Sequence, residues 1–158
     1  MIEPIKKEQL HQCLEIMKLG YENTAAKFGM TEDNCPHRGR TRLPYRIFED
    51  EYNSGCFMYA YVYGGALVGF LSILVEEHKM HINDIVILPA YQNNGFGSTL
   101  MQFAKEEAKR RNCDKIVLGM VHDNIPLRNW YEKLGFHTIE LKKYEKVNYT
   151  VGTMELLL

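Results

Sequence analysis

The sequence predicts a mixed α/β fold, with one mostly antiparallel central sheet, a locally parallel pair of strands, and helices on both faces. Three observations support this prediction. Apolar residues follow a helical period in the first 52 residues and strand-like runs begin at Cys56. The segment 81–121 then reads as strand, helix and strand, an order that makes the two strands parallel. Short turns join most of the other strands, as expected for antiparallel neighbours.

Length and charge limit the classes of protein to consider. The chain has 158 residues, so we expect residues 1–158 to form a single domain. Its net charge of −1 supplies no basic field, and we expect no nucleic-acid partner. No apolar run approaches the roughly 20 residues of a membrane span, and residues 1–12 lack the apolar core of a secretory signal. We therefore expect no membrane partner and a cytoplasmic location.

The N-terminal third is predicted to be largely helical. A short strand at Met1–Glu3 precedes a helix over 7–19, which is expected to end at Gly20. The polar segment 21–42 is predicted to be irregular. A second helix is expected from Pro44 to about Tyr52, because proline is favoured in a first helical turn.

The rest of the chain alternates between strands and helices. Gly64-Gly65 predicts a hairpin between two strands, and Asn124 and Gly135 are predicted to cap the last helix at its two ends. A hairpin around residues 146–148 joins the last two strands. The predicted strands are Cys56–Tyr63, Ala66–Leu74, His81–Leu88, Lys115–Val121, 136–144 and 149–157, and the helix between the parallel strands covers 96–111.

The turn that follows the strand at 81–88 has the features of an anion site. Its sequence is Gln92-Asn93-Asn94-Gly95-Phe96-Gly97, followed by Ser98 and the long helix. A glycine-rich turn that opens a helix presents unpaired backbone N–H groups at the positive end of that helix. Because glycine has no side chain, an anion can approach the backbone closely. A phosphate or pyrophosphate is the expected ligand, and a tight structural turn is the alternative.

Two well-known phosphate motifs fit this turn poorly. A Walker loop requires a Gly-Lys-Ser/Thr end, and this turn has no lysine. The dinucleotide fingerprint requires a third glycine, where this chain has Leu100. The turn therefore predicts another kind of phosphate ligand.

The segment 81–137 resembles the GCN5-related N-acetyltransferase (GNAT) family. The resemblance depends on Gln92, Gly95 and Gly97 after a strand that ends in proline, and on Tyr131-Glu-Lys-Leu-Gly-Phe downstream of Asn124. It implies the acyl-CoA N-acyltransferase fold and an acetyltransferase that moves an acetyl group from acetyl-CoA to a primary amine. The acceptor is then a small molecule or a peptide. A non-catalytic acyl-CoA-binding module is the alternative, and a homodimer is as compatible with the sequence as a monomer.

The resemblance also implies where acetyl-CoA binds. Backbone amides of the glycine turn hold the pyrophosphate, the edge of a strand holds the pantetheine arm like an added strand, and the side-chain amide of Asn124 assists. The two parallel strands move apart to admit the cofactor. The implied cofactor-binding residues are Ile85, Val86, Ile87, Gln92, Asn93, Asn94, Gly95, Phe96, Gly97, Ser98 and Asn124.

The chemistry needs a proton donor for the departing thiolate and a base for the ammonium group. By the resemblance, Tyr131 is the donor, although its ring could simply pack in the core. His81 occupies the position of a glutamate base in some family members, and Gly119 replaces the glutamate of others. The alternatives for the base are Asp84, Glu76, Glu77 and a chain of water molecules.

Three further groups of residues have alternative interpretations. Cys35-Pro36-His37 could bind a metal together with His78 or His81, but the chain has no paired, closely spaced ligands, so we expect no metal site. Arg38, Arg40 and Arg42 either bind an anionic group of the acceptor or form a solvated basic loop. Arg128 stands where the family commonly has a small residue, near the cofactor or simply in solvent.

Overall fold

The computed structural model describes residues 1–158, which form seven strands and four α-helices. The order of elements along the chain confirms the predicted order. The elements are β1 (Ile2–Pro4), α1 (Leu10–Lys27), α2 (Tyr45–Asn53), β2 (Phe57–Tyr63), β3 (Ala66–Glu76), β4 (Lys79–Ile87), α3 (Phe96–Arg110), β5 (Lys115–Val121), α4 (Ile125–Lys133), β6 (His137–Lys143) and β7 (Thr150–Leu157).

All seven strands form one sheet in the order β1-β2-β3-β4-β5-β7-β6. The β4–β5 pair is parallel and every other pair is antiparallel, which confirms the predicted fold class. Side chains of α1 and α2 pack in one apolar cluster with Phe70 and Val86 of the sheet. Side chains of α3 and α4 pack in a second cluster with Leu71 and Ile116, on the other face. None of the helices combines the length and apolar character needed to cross a membrane.

The parallel pair stays together over only three residues of each strand. Residues 79–81 of β4 face residues 115–117 of β5, and the two strands have no paired residues beyond His81. The parallel direction is as predicted, but the pairing ends before Ile82, so residues 82–88 do not pair with β5. A gap therefore opens in the middle of the sheet beside the C-terminal half of β4.

Helix α1 extends further than the sequence predicted. The expected stop at Gly20 is wrong, because the helix continues to Lys27 and Gly29, with a φ of +64°, follows its end. A Cβ atom at Gly20 would lie 2.7 Å from the Cβ atom of Val86 on β4. Glycine is therefore needed here for close packing of α1 on the sheet, and this packing brings Tyr21 to the edge of the gap.

A β-bulge in β4 changes which side chains face α1. Ser72 of β3 lies opposite Asp84, whereas the next residue, Ile73, lies opposite Ile82. Asn83 is thus the extra residue, and the alternation of side chains shifts by one position there. As a result, His81 and Asp84 both face the side of the sheet that carries α1.

The segment between α1 and α2 is anchored rather than freely solvated. Arg38 donates to both carboxylate oxygens of Glu22, at 2.9 and 2.7 Å, and to the carbonyl oxygen of Met30. Arg38 and Arg40 both have positive φ angles, which non-glycine residues adopt rarely and at some cost. Met30 also packs in a small apolar cluster with Val147 and other residues near the β6–β7 hairpin.

Candidate active site

The glycine turn leaves a row of backbone donors unused. Asn93 and Gly95 have φ angles of +63° and +80°, and Gly95 is the N-cap residue of α3. No hydrogen bond within the chain involves the N–H groups of residues 93–98. Six consecutive free donors at the positive end of a helix can hold a phosphate or pyrophosphate.

Side chains of the turn keep these donors in place. Gln92 donates from Nε2 to the carbonyl oxygen of Ile87 at 3.0 Å. Asn94 donates to the carbonyl oxygens of Tyr91 and Gln92. A Cβ atom at Gly97 would lie 3.3 Å from the ring of Trp130, so the missing side chain lets α4 pack beside the start of α3.

The edge of β4 that faces the gap has free backbone groups. Leu88 donates its backbone N–H to the carbonyl oxygen of Val68 on β3. Because backbone groups alternate in direction along a strand, the N–H and C=O groups of Val86 also point to β3. The backbone N–H and C=O groups of Ile85 and Ile87 therefore point to the gap. The side chain of Gln92 donates a hydrogen bond to the carbonyl oxygen of Ile87. The N–H of Ile87 and both polar groups of Ile85 are left for a ligand that binds as an extra strand.

Tyr131 lies on the α4 side of the gap. The residue is buried, yet its hydroxyl makes no hydrogen bond and is not among the fully enclosed side-chain atoms that lack a partner. The hydroxyl oxygen therefore retains some exposed surface and is free to bond a ligand. Burial raises the pKa of Tyr131, so the group stays protonated at neutral pH and can donate a proton.

Asn124 and Arg128 lie at the start of α4. Asn124 is the N-cap residue as predicted, but its side chain makes no capping hydrogen bond and is free for another partner. Arg128 is neither free nor fully solvated, because its guanidinium contacts Nε2 of His122 and lies 3.5 Å from Glu132. These contacts rule out the fully solvated alternative, and a position of Arg128 near the cofactor stays a prediction.

A charged cluster that the sequence did not predict lies on the opposite, α1 side of the gap. Asp84 is completely enclosed; its Oδ1 accepts a hydrogen bond from the Tyr21 hydroxyl at 2.9 Å and its Oδ2 one from Arg40 Nη2 at 3.0 Å. Arg40 also donates to both carboxylate oxygens of Glu51, at 3.2 and 2.9 Å. Its Nε lies 2.9 Å from Asp84 Oδ1 but does not point its hydrogen at an acceptor. We call Tyr21, Arg40, Glu51 and Asp84 the Asp84 cluster.

The Asp84 cluster carries a net negative charge when both of its carboxylates are ionised, since it has one guanidinium. Burial raises the pKa of Asp84, although Arg40 and Tyr21 act in the opposite direction. Burial, the Asp84 carboxylate and the nearby Tyr131 hydroxyl raise the pKa of Tyr21. Asp84 is thus a stronger base than a solvated carboxylate, and Tyr21 stays a hydroxyl group.

This shift predicts how stability depends on pH. Because the folded-state pKa of Asp84 lies above that of the unfolded chain, folding favours the neutral carboxyl group and becomes less favourable as pH rises through these values. Asp84→Asn, which is neutral at every pH, should therefore melt no lower than the native protein at pH 7. The difference between the two thermal midpoints should shrink towards about pH 4.

A thermal melt series from pH 4 to pH 7 measures this effect. Asp50→Asn is a suitable control, since Asp50 is an exposed carboxylate on α2. A midpoint of Asp84→Asn that falls well below that of the native protein at pH 7 would contradict the expectation.

His81 lines an open groove of about 640 Å³ that crosses β4, β5, β7 and β6. Its Nε2 lies 3.4 Å from Glu76 Oε2 without hydrogen-bond geometry and has no other partner. Gly119 and Asn83 line the same groove, which also carries charges of both signs from Lys79, Lys115, Glu140 and Glu155. No three His, Cys, Asp or Glu side chains lie close enough together to hold a metal ion.

Comparisons with known proteins agree with this geometry. The model of the Acetyltransferase (GNAT) family matches residues 26–136, well over half of the chain. N-alpha-acetyltransferase 30 of Dictyostelium discoideum is 33% identical over 113 residues, which are 68% of this chain and 58% of that protein. Glucosamine 6-phosphate N-acetyltransferase of Trypanosoma brucei brucei is 30% identical over 83 residues, 48% of this chain and 54% of that protein. The matches thus span little more than half the length of these two relatives.

Solved structures share the fold at low sequence identity. The ribosomal-protein-S18-alanine N-acetyltransferase of Escherichia coli superposes with a TM-score of 0.80 at 16% identity, covering 99% of this chain and 92% of that one. The PaiA N-acetyltransferase of Thermoplasma acidophilum, solved with coenzyme A, has a TM-score of 0.76 at 18% identity and covers 100% and 98% of the two chains.

Proposed function

Because this chain belongs to the GNAT family of acetyltransferases, we propose that it moves an acetyl group from acetyl-CoA to a primary amine by direct attack. The observation that carries the proposal is the row of six free N–H groups at residues 93–98, next to the free edge of β4. A pyrophosphate on this row and a pantetheine arm along β4 would place the thioester in the gap between β4 and β5.

Tyr131 is the proton donor in this proposal. Its hydroxyl makes no hydrogen bond within the chain, keeps some exposed surface, and is close enough to Tyr21 to affect the pKa of that residue. A tyrosine is protonated at neutral pH, and burial raises the pKa of Tyr131 further. As the amine attacks the thioester carbonyl, the carbon–sulfur bond breaks and the thiolate takes the proton of Tyr131. A module that only binds acyl-CoA would have no use for a free hydroxyl there.

The acceptor reaches the thioester from the α1 side of the gap, between the segment that joins α1 to α2 and the β6–β7 hairpin. The anchored arginines, Arg38 and Arg40, are engaged by carboxylates of the chain itself, so they are poor candidates for binding an anionic acceptor. The groove beside His81 is open rather than enclosed and has a volume of about 640 Å³, so it does not restrict the acceptor to a small molecule. A peptide amine is therefore the second candidate acceptor, and it agrees with the N-alpha-acetyltransferase relative.

A turnover screen tests the proposal directly. Release of free coenzyme A from acetyl-CoA is measured with polyamines, amino sugars, amino acids and peptides with a free N-terminus, each against a blank without acceptor. We expect acceptor-dependent release and an acetylated product by mass spectrometry with at least one of these classes. Binding of coenzyme A without turnover on any class would favour the non-catalytic module.

A further inference from the structure

The two faces of the sheet contribute one tyrosine each to the same opening. Tyr131 belongs to the apolar cluster on the α3 and α4 face, whereas Tyr21 packs with the cluster on the α1 and α2 face. The two hydroxyls are nevertheless close enough for Tyr131 to affect the pKa of Tyr21. Asp84, to which Tyr21 is hydrogen-bonded, belongs to the part of β4 that does not pair with β5, so the Tyr21 hydroxyl lies beside the gap where the thioester is proposed to lie.

Tyr21 is also polarised in one direction. It donates its hydrogen to Asp84 Oδ1 at 2.9 Å, which leaves the lone pairs of its oxygen free to accept. Asp84 itself has no exposed surface and cannot contact an acceptor directly. Arg40 holds the second oxygen of Asp84, and Glu51 holds Arg40. The Asp84 carboxylate is therefore held in place on the far side of Tyr21 from the cleft. A ligand in the cleft interacts with the negative charge of the cluster through the Tyr21 hydroxyl.

We infer that Tyr21 and Asp84 form a proton relay that removes a proton from the acceptor ammonium group, an inference that rests on the proposed function. The ammonium nitrogen gives one proton to the Tyr21 oxygen while Tyr21 passes its own proton to Asp84 Oδ1. The freed lone pair forms the nitrogen–carbon bond, the carbon–sulfur bond breaks, and the thiolate takes the proton of Tyr131. The second proton of the nitrogen restores Tyr131, and after the product leaves Asp84 returns its proton to solvent through the Tyr21 hydroxyl.

Other charged or titratable groups near Asp84 are compatible with this direction of transfer. They are Arg40 of the α1–α2 segment, Glu51 of α2, the Cys56 thiol before β2 and Tyr21 of α1, and Tyr131 of α4 lies near Tyr21. Arg40 is a permanent cation that pairs with both Glu51 and Asp84. Because Glu51 shares this cation, Arg40 lowers the pKa of Asp84 less than it would alone, and Asp84 accepts a proton more readily. Ser72 lies opposite Asp84 in the sheet with a buried hydroxyl that has no partner.

The test compares the pH profile of kcat/KM for native protein, Tyr21→Phe and Asp84→Asn with an alkylamine acceptor. At pH 7 both variants should be slower by about 10²–10³, because an alkylamine with a pKa near ~10 is then almost entirely protonated. The deficit should shrink to less than about tenfold near pH 10, where about half of the amine is already neutral in solution. The double variant should be no slower than either single variant, since both act in one relay.

Two controls separate the relay from a structural role. Tyr45→Phe removes another hydroxyl that is bonded to a carboxylate, that of Glu49, and should leave the profile unchanged. A fluorinated amine that is neutral at pH 7 should be acetylated by Tyr21→Phe at nearly the native rate. A deficit that is the same at every pH and for both amines would overturn the relay, as would native turnover of Tyr21→Phe. In both cases the proposed function would stand, whereas native protein without any turnover would contradict both.

Discussion

Replacing Tyr131 by phenylalanine is expected to lower kcat by a factor of ~10²–10⁴, the contribution of a positioned general acid. Phenylalanine keeps the ring and its contacts with Trp130 and Phe136, whose ring centroids lie 5.1 and 5.7 Å away. Affinity for coenzyme A should be unchanged, because the proposed cofactor contacts are backbone groups of β4 and of the glycine turn. Steady-state kinetics and a coenzyme A titration measure these two quantities separately.

Tyr59→Phe is a matched control for this variant. Tyr59 is as buried as Tyr131, 6% exposed in both cases, but its hydroxyl is bonded to Arg111 at 3.3 Å, away from the gap. It should turn over at the native rate. An alanine at position 131 would be a weaker test, since the cavity it leaves destabilises the fold as well. Native turnover of Tyr131→Phe would transfer the role of proton donor to another group, such as a water molecule.

The sequence predicts the sheet well because the signals for its strands are local. Alternation, glycine pairs at turns and the strand–helix–strand order at 81–121 each act over a few residues, and all seven strands are present. The error at Gly20 has a different origin. Glycine is a common helix stop, but here it is selected by contact with Val86, which lies 66 residues further along the chain. Sequence patterns do not report such a contact.

The sequence likewise predicts one part of the candidate site and not the other. The glycine turn and Tyr131 each belong to a short motif that is continuous in sequence, so the sequence alone predicts both. The Asp84 cluster was not identified, because it joins α1, the α1–α2 segment, α2 and β4. Asp84 was one of several candidate bases, and Arg40 was assigned to the acceptor or to solvent. Only the bulge at Asn83 directs Asp84 towards α1, and a bulge has no reliable sequence signal.

The free donors of the glycine turn lead to the prediction with the largest effect on binding. Gly95→Val should abolish the rise in thermal midpoint that coenzyme A produces. A ligand at 100 times its Kd stabilises a protein by about 2.7 kcal/mol. For a chain of this size, roughly 2–4 °C per kcal/mol makes a shift of about 5–10 °C. Gly95 has a φ of +80°, where a β-branched residue is strongly disfavoured, so the turn must rearrange and its N–H groups lose their common direction.

The effect of backbone strain in Gly95→Val must be separated from the loss of the phosphate site, and a valine at Gly55 is the control for strain. It also has a positive φ, of +105°, and a Cβ atom at either glycine would have no neighbour within 4 Å. Gly55 lies between α2 and the start of β2, at the end of the sheet opposite the turn. Gly55→Val should therefore lower the midpoint of the free protein to a comparable extent and keep the full coenzyme A shift. Pantetheine without phosphates should shift the native protein far less than coenzyme A. If Gly95→Val keeps the full shift, the pyrophosphate does not bind at residues 93–98, and the proposed position of the thioester in the gap loses its support.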